Sequence, residues 1–193
     1  MRRSIFCLTL LLVWGITMYA TAQSPYYPLE KGQVTFFRYG DAFNQGNQQL
    51  TMKIQVQDET EQIGGNEYLV METSYGSPGS YQLASKVYAR ATGGGVVSME
   101  NVEAEEQVLL EGPYTVGKTW QQVSDGQTST LKIVAIQGTL ETPAETLTQC
   151  LVVESTSERT TGRSYYQRGM GLVAITLIVE GKEQVLVYRV AAE

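Results

Sequence analysis

Carboxylates are the residues of this chain whose number and clustering could support acid–base chemistry. Residues 58–61 read DETE and residues 103–106 read EAEE. Two carboxylates about 5 to 10 Å apart across a sugar could hydrolyse a glycosidic bond. Both runs lie between strand-like segments, where solvated charge is the ordinary role, so a carboxylate-based glycosidase is the remote alternative. DETEQIGGN, from Asp58, supplies oxygens for calcium but not the spacing of an EF-hand loop. The chain has no histidine, which removes Ser-His-Asp and Cys-His catalysis and the commonest transition-metal ligand. Beyond Cys7, Cys150 is the only cysteine, and one thiol builds no zinc or iron–sulfur site. It opens the apolar run of LTQCLVVES. A small buried hydrophobe is the ordinary reading there, and a reactive thiol or an intermolecular disulfide is the alternative. The sequence therefore assigns no catalytic residue, no metal ligand and no cofactor.

Aromatic residues and glycines carry more information. Tyr26-Tyr27 and Tyr165-Tyr166 are adjacent pairs. Consecutive strand residues face opposite ways, so each pair in a strand would send one ring outward or to a rim. Exposed tyrosines make good binding platforms, and sheet packing is the ordinary alternative. YYQRGMGLVAI, from Tyr165, places Gly169 and Gly171 between aromatics and an apolar run. Glycine accepts positive φ without a Cβ clash, as turns and bulges require. A phosphate cradle would need a following helix and a Lys-Ser/Thr pair, and neither is present, so a turn or bulge is expected. Gly32, Gly117 and Gly181 are expected to be structural glycines of the same kind.

The elements that must position these residues are strands. QVTFFRY, LTMKIQVQ, EYLVMETSY, SKVYARA, VVSMENV, EQVLLEG, TLKIVAIQG, CLVVEST, LVAITLIVE and QVLVYRV are short and rich in Val, Ile, Thr and Tyr. Gly, Asn, Asp, Ser or Pro clusters separate most of them, as in an all-β sandwich or barrel. Most connections are too short for helical crossovers, so the pairing should be antiparallel. Helices at 83–89 or 101–110 would lack a persuasive cap. Gly181-Lys182 fits a type II′ hairpin turn, and Asp125-Gly126 marks another turn. Residues 172–179 are apolar on both faces, which predicts a central strand whose second face is covered. The cover would be a segment of the same chain, a partner chain or a ligand.

The N-terminus reads MRRSIFCLTLLLVWGITMYATAQ. Two arginines, a short apolar run and Ala20-Thr21-Ala22 are the anatomy of a secretory signal peptide, and the run is shorter than the roughly 20 residues that span a bilayer. Cleavage after Ala22 is expected, leaving 171 of the 193 residues as one β domain, 23–193, with no further membrane span. The loss of two arginines and no acid moves the net charge from −6 to −8. An acidic surface argues against nucleic acid and anionic membrane surfaces.

Landmarks recur in the same order along the chain. Pro28 and Gly32 precede one strand, and Pro113 and Gly117 precede another. LTMKIQV is echoed by STLKIVA, EYLVMETS by QCLVVEST, and the glycines 93–95 by Gly169 and Gly171. A loose duplication of 26–105 by 112–192 would explain this, and chance likeness between amphipathic strands is the alternative.

YYPLEKGQVTFFRY, LLEGPYTVGKTW and CLVVESTS…GRSYYQRGMGLV together resemble motifs of TapB-like, domain-of-unknown-function families of secreted bacterial envelope proteins. Thr35 stands where those families often have Trp, with Phe36 one place later, and Tyr114 where they often have Leu. The resemblance implies a strongly curved antiparallel sheet or partly open β-barrel, distantly similar to lipoprotein-carrier half-barrels. It implies a periplasmic or secreted location and brings no catalytic residue. The expected function is non-enzymatic binding of a lipid or other apolar ligand, or of an envelope protein partner. Tyr165, Tyr166, Trp120 and Phe36 are the candidate binding residues, on the concave face. A carbohydrate-binding or adhesive β module is the alternative.

Overall fold

The computed structural model describes residues 24–44, 51–124 and 126–191. The expected signal peptide, 1–22, and Asp125 lie outside the described residues. Twelve strands form one antiparallel sheet. The first six are β1 (Val34–Tyr39), β2 (Thr51–Ile63), β3 (Asn66–Ser77), β4 (Ser80–Ala91), β5 (Val96–Met99) and β6 (Gln107–Leu110). The second six are β7 (Thr119–Ser124), β8 (Gln127–Glu141), β9 (Thr146–Thr156), β10 (Thr161–Gln167), β11 (Gly171–Val179) and β12 (Lys182–Val190). Each six is a meander, and the two are joined by β1 pairing with β12. The described residues contain no helix. Residues 83–89 lie inside β4, and 101–110 divide into a turn and β6.

The sheet curls until β6 and β7 lie side by side, and there the barrel is not sealed by a backbone ladder. Side chains cross the seam instead. Trp120 Nε1 donates to Val108 O at 3.1 Å, and Val123 N donates to Gln107 Oε1 at 3.0 Å. Ser124 Oγ donates to Glu100 Oε1 at 3.1 Å.

Alternation sorts the strand residues onto two faces. In β1, Phe37 is 1% exposed and packs with Met52 and Val187. Three buried clusters run together on that side through Tyr27, Ile54 and Leu172, each of which touches two of them. They are the barrel interior. Residues 24–30 cross it as a strap. Tyr26 packs with Trp120, Ile133 and Tyr166, whereas Leu29 packs with Val56, Met71 and Ala89. The strap is held where Gly169 N donates to Pro25 O at 2.7 Å and where Ser24 Oγ meets Tyr114 OH at 2.5 Å.

The two meanders begin with the same turn. Gly32 N donates to Val56 O and Val56 N to Gln33 O, both at 2.9 Å. Gly117 N donates to Ile133 O at 2.8 Å, and Ile133 N donates to Lys118 O at 2.9 Å. Gly32 has φ 75° and Gly117 φ 93°, a region that costs any other L-residue about 1–2 kcal/mol.

The other glycine groups differ in kind. Gly169 and Gly171 have φ 76° and 81°. Gly95 serves close approach, since a Cβ there would stand 2.2 Å from Leu110 O. The C-terminal hairpin corrects the expected turn by one residue. Val179 pairs with Lys182, so the loop is Glu180-Gly181, with φ 52° and 75°. Two positive φ values make it type I′ rather than II′, the turn whose twist also matches its strands.

Candidate functional site

The opposite face of the barrel carries a fourth buried cluster: Leu147, Cys150, Val152, Tyr165, Val173, Ala174 and Tyr188. It forms because the β8–β9 hairpin is too bent to lie flat. Its pairing shifts register three times, at Ile133/Ala135, Ala135/Gly138 and Gly138/Leu140, and such shifts bend a strand pair. The bend brings Leu140 and Leu147 onto the outer side of β11 and β12. The second face of the predicted central strand is thus covered by the chain itself at Val173 and Ala174, while Val179 at its end stays exposed. Burial pushes the Cys150 thiol up to about 11, which keeps it protonated and unreactive.

Beyond this contact the hairpin tip stands away from the sheet. The tip is fixed by Thr142 Oγ1 donating to Glu145 O at 2.7 Å, and by Thr146 Oγ1 donating to Glu141 Oε2 at 2.7 Å. Between it and β1, β11 and β12 runs a trough of about 550 Å³. Val34, Phe36, Leu147, Val173 and Val190 line it, with Met170, Gln167 and Arg189 among its other lining residues. Phe36 and Val190 also line a second hollow of about 160 Å³, which runs on toward Pro78 and Tyr81. The Phe36 and Tyr81 rings lie 6.1 Å apart. Beside Tyr27 and Phe37, by contrast, the strap leaves about 30 Å³, room for a water molecule or two. A wider hollow of about 710 Å³ between Leu29 and Ala89 is lined by Glu30, Lys31, Glu67 and Arg90 as well.

The four candidate residues are not brought together. Trp120 and Tyr166 share the interior cluster, at 8% exposure each, and burial pushes the Tyr166 hydroxyl up to about 12. Tyr165, 3% exposed, faces the outer cluster. Phe36, half-buried, alone reaches the trough. The trough carries no local sequence signal, because Leu147 reaches Val173 and Val190 of the β11–β12 pair only through the bent hairpin.

Of the two acidic runs, 103–106 contributes Glu106 as a structural charge, and Glu154 and Glu183 act in the same way elsewhere. Glu106 accepts from Arg90 and from the Tyr68 hydroxyl, and the Arg90 hydrogen bond leads in holding its carboxyl below the usual range. Arg163 donates to Glu154 at 3.0 Å and to Glu183 at 2.8 Å. Glu183 also accepts from Tyr165 OH at 2.7 Å and Thr176 Oγ1 at 2.6 Å. Burial raises its pKa, but the Thr176, Tyr165 and Arg163 contacts outweigh it and the net shift is downward. A glycosidase acid needs the opposite shift. A depressed carboxyl stabilises the fold above its unfolded pKa of about 4.3 and loses that contribution as pH falls through the folded value. The Glu183 side chain is 26% exposed, so solvent screening keeps the effect near 1 kcal/mol. Glu183→Gln is expected to lower Tm at pH 7 and to flatten the wild-type fall in Tm below about pH 5. Parallel thermal melts from pH 3 to 7, showing the same slope in both proteins, would remove Glu183 from this role.

No family model matches the chain, and no curated protein matches it. Two solved structures share its shape. One is a protein of Parabacteroides distasonis assigned as a lipoprotein, at TM-score 0.51 and 18% identity, covering 87% of this chain and 98% of its own. The other is a protein of Bacteroides fragilis assigned as exported, with a YmcC-like fold. Its TM-score is 0.53 at 14% identity, covering 86% of this chain and 97% of its own. The likeness is one of fold. With no family model matched, the TapB-like resemblance remains a likeness of short motifs.

Proposed function

We propose that the protein is a non-enzymatic envelope or secreted β-barrel that holds an apolar ligand in the trough floored by Phe36 and Val190. One observation carries this reading. The chain's own strap fills the interior beside Tyr27 and Phe37, while the trough outside, with Val34 and Met170 exposed along it, is left uncovered. Its volume falls within the range of about 300–1,000 Å³ usual for small-molecule sites. The signal-peptide pattern and the assignments of the two structural neighbours support export. The matched Gly32 and Gly117 turns support reading the two meanders as halves of a loose duplication. No observation favours the carbohydrate module, since Tyr75 alone among the described tyrosines is exposed.

The neutral dye N-phenyl-1-naphthylamine, which brightens in apolar sites, tests the trough. Phe36→Ser removes a ring worth about 2 kcal/mol of contact, so binding should weaken roughly 30-fold. Leu83→Ser, at a site 59% exposed and outside the trough, should leave binding unchanged. A wild-type protein that fails to bind the dye, or equal binding by Phe36→Ser, would refute the reading.

A further inference from the structure

We infer that Met170 is a selective oxidation site, and that its conversion to the sulfoxide by a peroxide loosens the trough's hold on its ligand. The second half of this rests on the trough being the ligand site; the first half does not. Four methionines lie among the described residues. Met52, Met71 and Met99 are buried, at 6%, 7% and 6% exposure, whereas Met170 is 46% exposed. A peroxide must reach the sulfur to oxidise it. The sulfur of Cys150 does not compete, since that residue is 0% exposed and burial keeps its thiol protonated.

Position gives the site its consequence. Met170 occupies the turn between β10 and β11, flanked by Gly169 and Gly171 at φ 76° and 81°. The backbone of this turn is anchored. Met170 N donates to Gln167 O at 3.1 Å, and Gly169 N donates to Pro25 O of the strap at 2.7 Å. Met170 lines the trough, and it also lines the gap of about 30 Å³ beside Tyr27 and Phe37. A polar group made on its side chain would therefore stay at the trough. In the reaction a sulfur lone pair attacks one oxygen of hydrogen peroxide. The S–O bond forms as the O–O bond breaks, sulfur gives up two electrons, and the leaving hydroxide takes the remaining proton to become water. The sulfoxide is polar where the thioether was apolar, so it disfavours an apolar ligand. Met170 belongs to none of the four buried clusters, so the change falls on the trough rather than on the core.

To test the inference, the chain beginning at Gln23 is treated briefly with dilute hydrogen peroxide, freed of it, and titrated with N-phenyl-1-naphthylamine. The treatment should add one oxygen atom per chain, placed on Met170 by peptide mass mapping. Only the exposed part of the side chain can meet a ligand, so dye binding should weaken roughly fivefold. The two methionine sulfoxide reductases, one for each epimer, should restore it. Met170→Leu, whatever its own affinity for the dye, should show no change on the same treatment. Oxygen entering Met52, Met71 or Met99 as fast as Met170 overturns the oxidation site. Met170 sulfoxide with unaltered dye affinity overturns its effect on binding and leaves the trough standing, as does an equal loss of binding in treated Met170→Leu. A wild type that binds no dye removes the trough reading and the effect on binding with it, and mass mapping alone then decides the oxidation site.

Discussion

A chain begun at Lys31 is expected to lose most of its folding free energy relative to one begun at Gln23. The truncation removes Tyr26 and Leu29, at 9% and 4% exposure, and Tyr27, which touches two interior clusters. Each apolar side chain of this size contributes about 1.5–3 kcal/mol by burial, and the barrel would keep the void they leave. The sum reaches the lower part of the roughly 5–15 kcal/mol by which domains are stable at all. Also lost are the Pro25 carbonyl that receives Gly169 N and the Ser24 hydroxyl against Tyr114. In urea the midpoint should fall by half or more, with dye binding typical of a loosened core. An unchanged midpoint together with stronger dye binding would mean the reverse. The strap would then be a removable lid, the interior the ligand site, and the Phe36 trough an incidental surface.

The strap shows where sequence reasoning reached and where it stopped. The strands were legible because Val, Ile, Thr and Tyr runs bounded by turn residues reflect short-range chemistry. β7, TWQQVS, escaped because Trp120 and Val123 are its only apolar side chains and the seam leaves it at an edge. β10 was legible only through its tyrosines. The glycines at 32, 117, 169, 171 and 181 were legible because positive φ is a local demand, and all five have it. The trough was not legible. Leu147 meets Val173 and Val190 only through three register shifts in one hairpin, and no periodicity records a bend. Tyr165 and Tyr166 were correctly sent to opposite faces by alternation. That both faces are buried depends on the strap on one side and the β8–β9 hairpin on the other.

Gly95→Ala should be the most damaging single methyl in the barrel wall that closes on the seam. The new Cβ would stand 2.2 Å from Leu110 O and 3.3 Å from Glu111 Cα. Both are backbone atoms, so no rotamer relieves the clash. Val96 and Leu110 pair across it, each 0% exposed, and overpacking of this kind costs up to about 3 kcal/mol. The strain has one outlet. β6 has no backbone ladder to β7, so it can yield only toward the seam, against the bond from Trp120 Nε1 to Val108 O. Trp120 is the only tryptophan after Trp14, and it is 8% exposed. In the chain from Gln23 its fluorescence therefore reports the seam alone. Gly95→Ala should lower the urea midpoint and shift native Trp120 emission to the red, with easier quenching by acrylamide. Gly93→Ala is the matched control, since a Cβ there meets nothing within 4 Å. Equal midpoints and equal emission for the two variants would show that β6 moves freely. The side-chain bridges to β7 would then be contacts of convenience, and the barrel would be an open sheet held in its curve by the strap.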